Sequence, residues 1–143
     1  GALASVTLPE SVSSIGAMAF AYCTALSTIT LPSGLTALED EVFWGCSALQ
    51  TVVLPDGLQA IGEWTFYECK YLPSITLPES LQTIGENAFA NCESLESVSI
   101  PANMSSIGNF AFNSCDDLKA VTVSAACSLG EYAFPKSTEV SYY

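Results

Sequence analysis

The sequence predicts an α/β solenoid of about six coils that takes up residues 1–143 as a single unit. Three observations carry this. The same pattern begins at Leu8, Leu31, Leu54, Leu77 and Ile100 and, degraded, at Val123, a spacing of 23 residues. Self-similarity at a fixed period of about 20–50 residues marks an architecture in which no coil buries its apolar side alone and stacking supplies the core. Each repeat closes on an alternating stretch rich in Thr, Val and Ile, such as Leu26-Ser27-Thr28-Ile29-Thr30-Leu31, which reads as a short strand with one buried face. Ahead of that stretch, Ile84, Ala88, Phe89, Cys92 and Leu95 follow one another at intervals of 4, 1, 3 and 3 residues, a helical periodicity over about two turns.

Positions are counted from Leu77 as position 1, so that coils 1 to 5 are 8–30, 31–53, 54–76, 77–99 and 100–122, and coil 6 starts at Val123. Position 2 is proline in five coils (Pro9, Pro32, Pro55, Pro78, Pro101), and its missing N–H ends the preceding strand. Successive strands then lie side by side and parallel, about 4.8 Å apart. Apolar columns run through position 5 (Val12, Leu35, Leu58, Leu81, Met104), position 8 (Ile15, Leu38, Ile61, Ile84, Ile107) and position 13 (Phe20, Phe43, Phe66, Phe89, Phe112). Further columns fill position 19 (Leu26, Leu49, Leu72, Leu95, Leu118) and position 22 (Ile29, Val52, Ile75, Val98, Val121). Each large side chain buried in these columns contributes roughly 1.5–3 kcal/mol before chain entropy is subtracted. Position 9 is Gly16, Gly62, Gly85 and Gly108, which points to a close backbone approach or a positive φ before the helix. Acidic residues at positions 10 and 11 (Asp40, Glu41, Glu63, Glu86) fit the N-terminus of that helix, which favours negative charge.

Residues 1–7 read as the end of a preceding coil, with Leu3 at position 19 and Val6 at position 22. Coil 6 has lost one residue before Leu129-Gly130, after which Ala133 and Phe134 resume the pattern and Val140 and Tyr143 fall at positions 19 and 22. The chain starts at Gly1-Ala2-Leu3 and stops inside repeats with no polar cap, as a fragment of a longer array would. Half the residues are apolar and 13% are charged. No apolar run approaches the roughly 18 residues of a membrane span. Fifteen acidic residues against three lysines, with no arginine and no histidine, give a net charge of −12. That surface repels phosphate backbones and anionic membranes, which disfavours nucleic-acid binding. Without histidine, the common catalytic triads and His-containing zinc sites cannot form within the chain.

The string at 77–98, Leu-Pro-x-x-Leu-x-x-Ile-Gly-x-x-Ala-Phe-x-x-Cys-x-x-Leu-x-x-Val, resembles the BspA-like leucine-rich repeat family over essentially the whole chain. The resemblance implies an arc with a parallel β-sheet on the concave face and short helices on the convex one. It also implies an extracellular adhesion or protein-binding role, on surface or secreted proteins of bacteria and some parasitic protists. No family catalytic residue carries over. The departures are Glu39 for Gly, Val42 and Thr65 for Ala, and a last repeat without the Pro or the position-16 Cys.

Cys23, Cys46, Cys69, Cys92 and Cys115 share position 16, and Cys127 stands outside that series. Equivalent residues in stacked coils sit about 5 Å apart with parallel Cβ vectors, whereas a disulfide needs Cβ atoms converging to about 3.8 Å. The column therefore reads as buried free thiols that pack as small apolar groups. Trp44 and Tyr67 share position 14 in adjacent coils, Trp64 lies at position 11 and Tyr71 at position 18. Together they are expected on the convex or lateral surface of coils 2 and 3, where exposed aromatic area suits a protein interface or a sugar-stacking platform. Positions 21 and 23 place Thr28, Thr30, Thr51 and Thr76 among Ser5, Thr7, Val53, Ser74, Ser97, Ser99, Ala120 and Thr122 on a hydroxyl-rich sheet face. Pro73 interrupts the edge of that sheet. Glu10, Asp56 and Glu79 form an interrupted column at position 3 that does not converge as calcium would require. Asn103-Met104-Ser105 is a glycosylation sequon, meaningful in a eukaryotic secretory pathway.

The expectation is a non-enzymatic protein-binding or adhesion module, surface-displayed or secreted, with a host extracellular protein as the partner class and no cofactor. Carbohydrate binding through the aromatics is the second reading, and a spacer that projects another domain the third. The site residues expected are Trp44, Trp64, Tyr67 and Tyr71, then Thr28, Thr30, Thr51 and Thr76.

Overall fold

A computed structural model describes residues 3–143 and shows a solenoid built from strands and turns. The expected start of the chain at Gly1-Ala2 lies outside the described residues. In chain order the strands are β1 (Ser5–Thr7), β2 (Thr28–Thr30), β3 (Ala37–Leu38), β4 (Thr51–Val53), β5 (Ala60–Ile61), β6 (Ser74–Ile75), β7 (Thr83–Ile84), β8 (Ser97–Val98), β9 (Ser106–Ile107), β10 (Ala120–Val123), β11 (Ser128–Leu129) and β12 (Glu139–Tyr142). All pairings are parallel and the register follows the repeat, as in Val6↔Ile29↔Val52 and Ile61↔Ile84↔Ile107.

Two strand walls result. The front wall carries β1-β2-β4, β6-β8 and β10-β12 as three hydrogen-bonded groups. The side wall carries β3-β5-β7-β9-β11 as one continuous sheet. The break in the front wall between β4 and β6 follows from Pro73. In coils 1, 2 and 4 the position-20 N–H donates to the coil before it, from Ser27 to the Ala4 carbonyl (3.0 Å), from Gln50 to the Ser27 carbonyl (2.9 Å) and from Glu96 to the Pro73 carbonyl (3.0 Å). Proline has no N–H to give Gln50.

The convex helices are corrected: among the described residues there is no helix. The apolar spacing at positions 8–19 instead comes from a run of tight turns, and position 8 itself ends a strand of the side wall. Within coil 1, the N–H groups of Ala19, Ala21 and Cys23 turn back to the carbonyls of Gly16, Met18 and Phe20, three residues earlier. The alternate N–H groups, of Met18, Phe20 and Tyr22, point outward and donate to Asp40, Val42 and Trp44 of the next coil at 3.2, 2.9 and 2.6 Å. This alternation goes with positive φ at positions 11 and 15, which no α-helix contains. Met18, Glu41, Trp64, Asn87 and Phe110 at position 11, and Tyr22, Gly45, Glu68, Asn91 and Ser114 at position 15, all have φ between 54° and 71°. The turn wall is thus a third ladder between coils. The expected helix N-terminus at positions 10 and 11 goes with the helix. Asp40 instead accepts the Glu63 N–H of the next coil on its side chain, at 2.8 Å.

The glycine column settles on close approach, since none of its members has positive φ. A Cβ on Gly85 would lie 2.7 Å from the Glu63 nitrogen, and one on Gly108 2.6 Å from the Glu86 nitrogen. Gly16 faces open space. Coil 2 carries Glu39 here, and the side-wall ladder stops at β3. The bond made by Gly62, Gly85 and Gly108 to the preceding coil (2.8 Å each) has no counterpart from Glu39 to Ile15.

The core runs down the axis. Phe20, Phe43, Phe66, Phe89, Phe112 and Phe134 stack with centroids 5.0–5.5 Å apart and planes within 10° of parallel. Coil 6 departs from its expected register. Phe134 holds position 13, but Val140 pairs with Val121 and so occupies position 22, three residues earlier than expected. A short turn from Pro135 to Thr138 (N–H to carbonyl, 3.0 Å) replaces the cysteine turn, and the Thr138 hydroxyl donates to the Leu118 carbonyl at 2.7 Å. Cys127 sits buried where the other coils put a position-5 residue. Its N–H reaches the Ser124 carbonyl just as that of Met104 reaches Pro101.

Candidate functional site

All six cysteines are free. The thiols of Cys46, Cys69, Cys92 and Cys115 donate to the Phe20, Phe43, Phe66 and Phe89 carbonyls of the preceding coil at 3.1–3.3 Å. These four column thiols thus carry a polar task in addition to packing. Burial pushes the Cys46 thiol up to about 12 and raises Cys69 and Cys92 well above the usual range. Thiols so raised stay protonated at neutral pH, and the thiolate is the form that acts as nucleophile or metal ligand. Among the described residues, no group of three or more His, Cys, Asp or Glu could hold a metal ion. Among the described residues, no helix is long and apolar enough to cross a membrane.

The turn wall brings three of the expected aromatics together. Trp44 and Trp64 lie 5.8 Å apart at 28°, Trp44 and Tyr67 5.6 Å at 86°, and Trp64 and Tyr67 4.8 Å at 61°. All three are half-buried. The ladder holds them. The Trp64 N–H donates to the Glu86 carbonyl, the Tyr67 carbonyl accepts from Gly45, and the Trp44 carbonyl accepts from Tyr22. A tryptophan with φ of 58° is uncommon and persists only where its surroundings over-determine it. Tyr71 is not part of this group. It is 64% exposed and stacks on none of the three rings.

Tyr22 was missed by sequence reasoning. It lies 5.7 Å from Trp44 and is 53% exposed, so it extends the surface into coil 1. The signal was Gly45. A Cβ there would come 2.8 Å from the Tyr22 ring, so the glycine at position 15 of coil 2 makes room for the tyrosine at position 15 of coil 1. A second stack, Phe110 on Tyr132 at 5.5 Å, lies further along the same wall.

On the front wall, Thr28, Thr30, Thr51 and Thr76 are exposed, as are the other residues at positions 21 and 23. Thr28 and Thr51 are direct cross-strand neighbours, whereas Thr76 lies beyond the gap opened at Pro73. A groove of about 440 Å³ runs over that gap, lined by Gln50, Thr51, Val53, Asp56, Ser74 and Thr76 among others. In coils 1 and 2 the position-3 column is tied into the scaffold. Ser33 donates its N–H (3.1 Å) and its hydroxyl (2.9 Å) to Glu10, which holds that carboxyl below the usual range.

A family model described as BspA type leucine rich repeat region matches the chain in six copies over residues 2–119 and 36–142. No curated protein matches the chain. Among solved structures, it is similar to a leucine-rich repeat protein of T. pallidum, with 28% identity, a TM-score of 0.83 and coverage of 99% of this chain and 74% of that one. It is also similar to a leucine-rich repeat protein of Bacteroides ovatus, with 29% identity, a TM-score of 0.80 and coverage of 97% and 42%. A leucine rich cell surface protein of Faecalibacterium prausnitzii shares the fold at 23% identity, with a TM-score of 0.52 and coverage of 92% and 51%. The chain spans about three quarters of the first and roughly half or less of the other two.

Proposed function

Because the chain belongs to the BspA-type leucine-rich repeat family, we propose that it is a non-enzymatic interaction module that binds a protein partner through the aromatic surface of coils 1 to 3. The observation that carries this reading is the contiguous group Tyr22, Trp44, Trp64 and Tyr67. Large rigid rings are the side chains that dominate protein interfaces. Here they are seated on backbone that three ladders hold in place, so little conformational freedom is lost on binding. Tyr71 and the threonines of the front wall are secondary contacts. Display at the cell surface or secretion, with a host extracellular protein as the partner class, fits the family and the acidic, soluble surface.

The test uses the full chain, a Trp44→Ala/Trp64→Ala variant and a front-wall Thr51→Lys/Thr76→Lys variant, each shown folded by circular dichroism. They are screened against arrays of extracellular proteins and of glycans. The expected result is a protein ligand kept by the front-wall variant and lost by the aromatic one. A ligand lost only by the front-wall variant would move the site. Glycan ligands alone would replace protein binding with the carbohydrate reading, and silence on both arrays would leave the spacer.

A further inference from the structure

We infer that the aromatic surface recognises an arginine side chain of its protein partner, with the guanidinium packed against the exposed parts of these rings and drawn by carboxylates of the same wall. The inference rests on the proposed protein-binding reading and names the chemistry of that same site.

Ring packing comes first. Centroid separations of 4.8–5.8 Å leave no gap between the rings, so a ligand group lies over them and cannot enter a cage. That geometry suits a flat group, and guanidinium is the flat cation among side chains, weakly hydrated and able to stack on indole. Charge comes second. The columns that hold the aromatics also hold acids. Glu41 precedes Trp64 in the position-11 column, and Glu68 follows Tyr22 and Gly45 in the position-15 column, so each acid shares a column of the turn wall with one of the rings. Both are partly exposed. Among the described residues the only ion pair is Lys70–Glu93 at 3.7 Å, and Glu41 and Glu68 have no cationic partner. The chain has no arginine and a net charge of −12, so complementary charge must come from the partner.

The chain holds two tryptophans, both in this surface, so tryptophan emission, excited selectively over tyrosine, reports on it alone. The experiment titrates the full chain with an Arg-containing pentapeptide, with the same peptide carrying citrulline, which is flat but uncharged, and with maltohexaose. The Arg peptide is expected to shift the emission and to bind at least five- to tenfold more tightly than the citrulline peptide, with the difference shrinking in high salt. Glu41→Gln/Glu68→Gln should keep the circular dichroism spectrum and reduce Arg-peptide affinity several-fold. Equal binding of the Arg and citrulline peptides, or an unchanged affinity in the Gln variant, would overturn the inference. A shift by maltohexaose but not by the Arg peptide would also overturn it. In each case a protein ligand lost by Trp44→Ala/Trp64→Ala would leave the aromatic-surface reading standing, whereas a ligand unaffected by that variant would remove both.

Discussion

Replacing Gly85 with alanine should separate two coils that the rest of the structure holds together. The added Cβ would meet the Glu63 nitrogen and the Gly62 carbonyl carbon at 2.7 Å. Ordinary contact for such atoms is about 3.5–4.0 Å, so about 1 Å of space is missing. The atoms in the way are backbone, and no rotamer change relieves them. Opening coils 3 and 4 by that amount stretches the Gly85–Ile61 bond from 2.8 Å and the neighbouring Thr83–Gln59 bond from 3.2 Å past useful length. At about 1 kcal/mol for each of the two bonds, added to about 1–3 kcal/mol for overpacking, the expected loss is about 3–5 kcal/mol. Two controls isolate the cause. Gly16 occupies the same position with no coil against it, and Gly57 lies in the interior of the array, also with nothing within 4 Å. Neither has positive φ. Alanine at either should be neutral or stabilise by about 0.4–1 kcal/mol through the unfolded chain. Urea unfolding followed by circular dichroism reads the difference, at a slope of about 2 kcal/mol/M, as a midpoint lowered by about 1.5–2.5 M for Gly85→Ala alone. If Gly85→Ala unfolds within about 0.5 kcal/mol of Gly57→Ala, close coil approach is not the reason for this glycine column.

Other consequences follow from the same geometry. Phe89→Ala removes a fully buried ring stacked on both sides and should cost about 3–5 kcal/mol, whereas Phe20→Ala, stacked on one side and partly exposed, should cost clearly less in the same urea assay. The buried thiols make the fold sensitive to alkali. The unfolded thiols ionise from about pH 8.5 while Cys46 holds its proton to about 12, with Cys69 and Cys92 also raised. Between those values the unfolded state binds fewer protons, so stability is intact below about pH 8.5 and falls as pH rises. A Cys46→Ser/Cys69→Ser/Cys92→Ser variant should show a flatter profile between pH 8.5 and 11 in urea midpoints, and an unchanged slope would count against the burial argument. Pro73→Gln supplies the missing N–H opposite Gln50 and should join β4 to β6. Hydrogen exchange would show a newly protected amide at residue 73, while stability changes little because the gained bond is offset by the lost rigidity of proline.

Much of the scaffold was legible from residue spacing. The columns at positions 5, 8, 13, 19 and 22 are the core, the alternation at positions 21 to 23 is the front wall, and Pro73 breaks it as its chemistry requires. The position-16 cysteines are unpaired thiols, as their parallel Cβ vectors implied. The convex helices were misread because turns that bond three residues back repeat their inward side chains at intervals of three to four, as a helix does. The discriminating signal was present in Asn87, Asn91 and Gly45, residue types that tolerate positive φ, at the two positions where the backbone turns left-handed. At the candidate site, the meeting of Trp44, Trp64 and Tyr67 followed from the repeat. Tyr22 did not, because its approach depends on a glycine one coil away. Tyr71 stands apart because position 18 falls beyond the turns that carry the other three rings.

By itself the sequence determined that this chain stacks, with which period, and which side chains face the axis, because burial of apolar surface is read directly from their spacing. Tertiary structure decided how the backbone travels between the strands. Whether the N–H groups of positions 11, 13 and 15 bond within the coil, as in a helix, or to the coil above depends on a neighbour 22 residues away, and no local propensity contains that choice. Here the neighbour wins. The outward bonds satisfy every second N–H and fix left-handed φ at positions 11 and 15, and that backbone sets Tyr22 and Trp64 on the surface beside Trp44 and Tyr67.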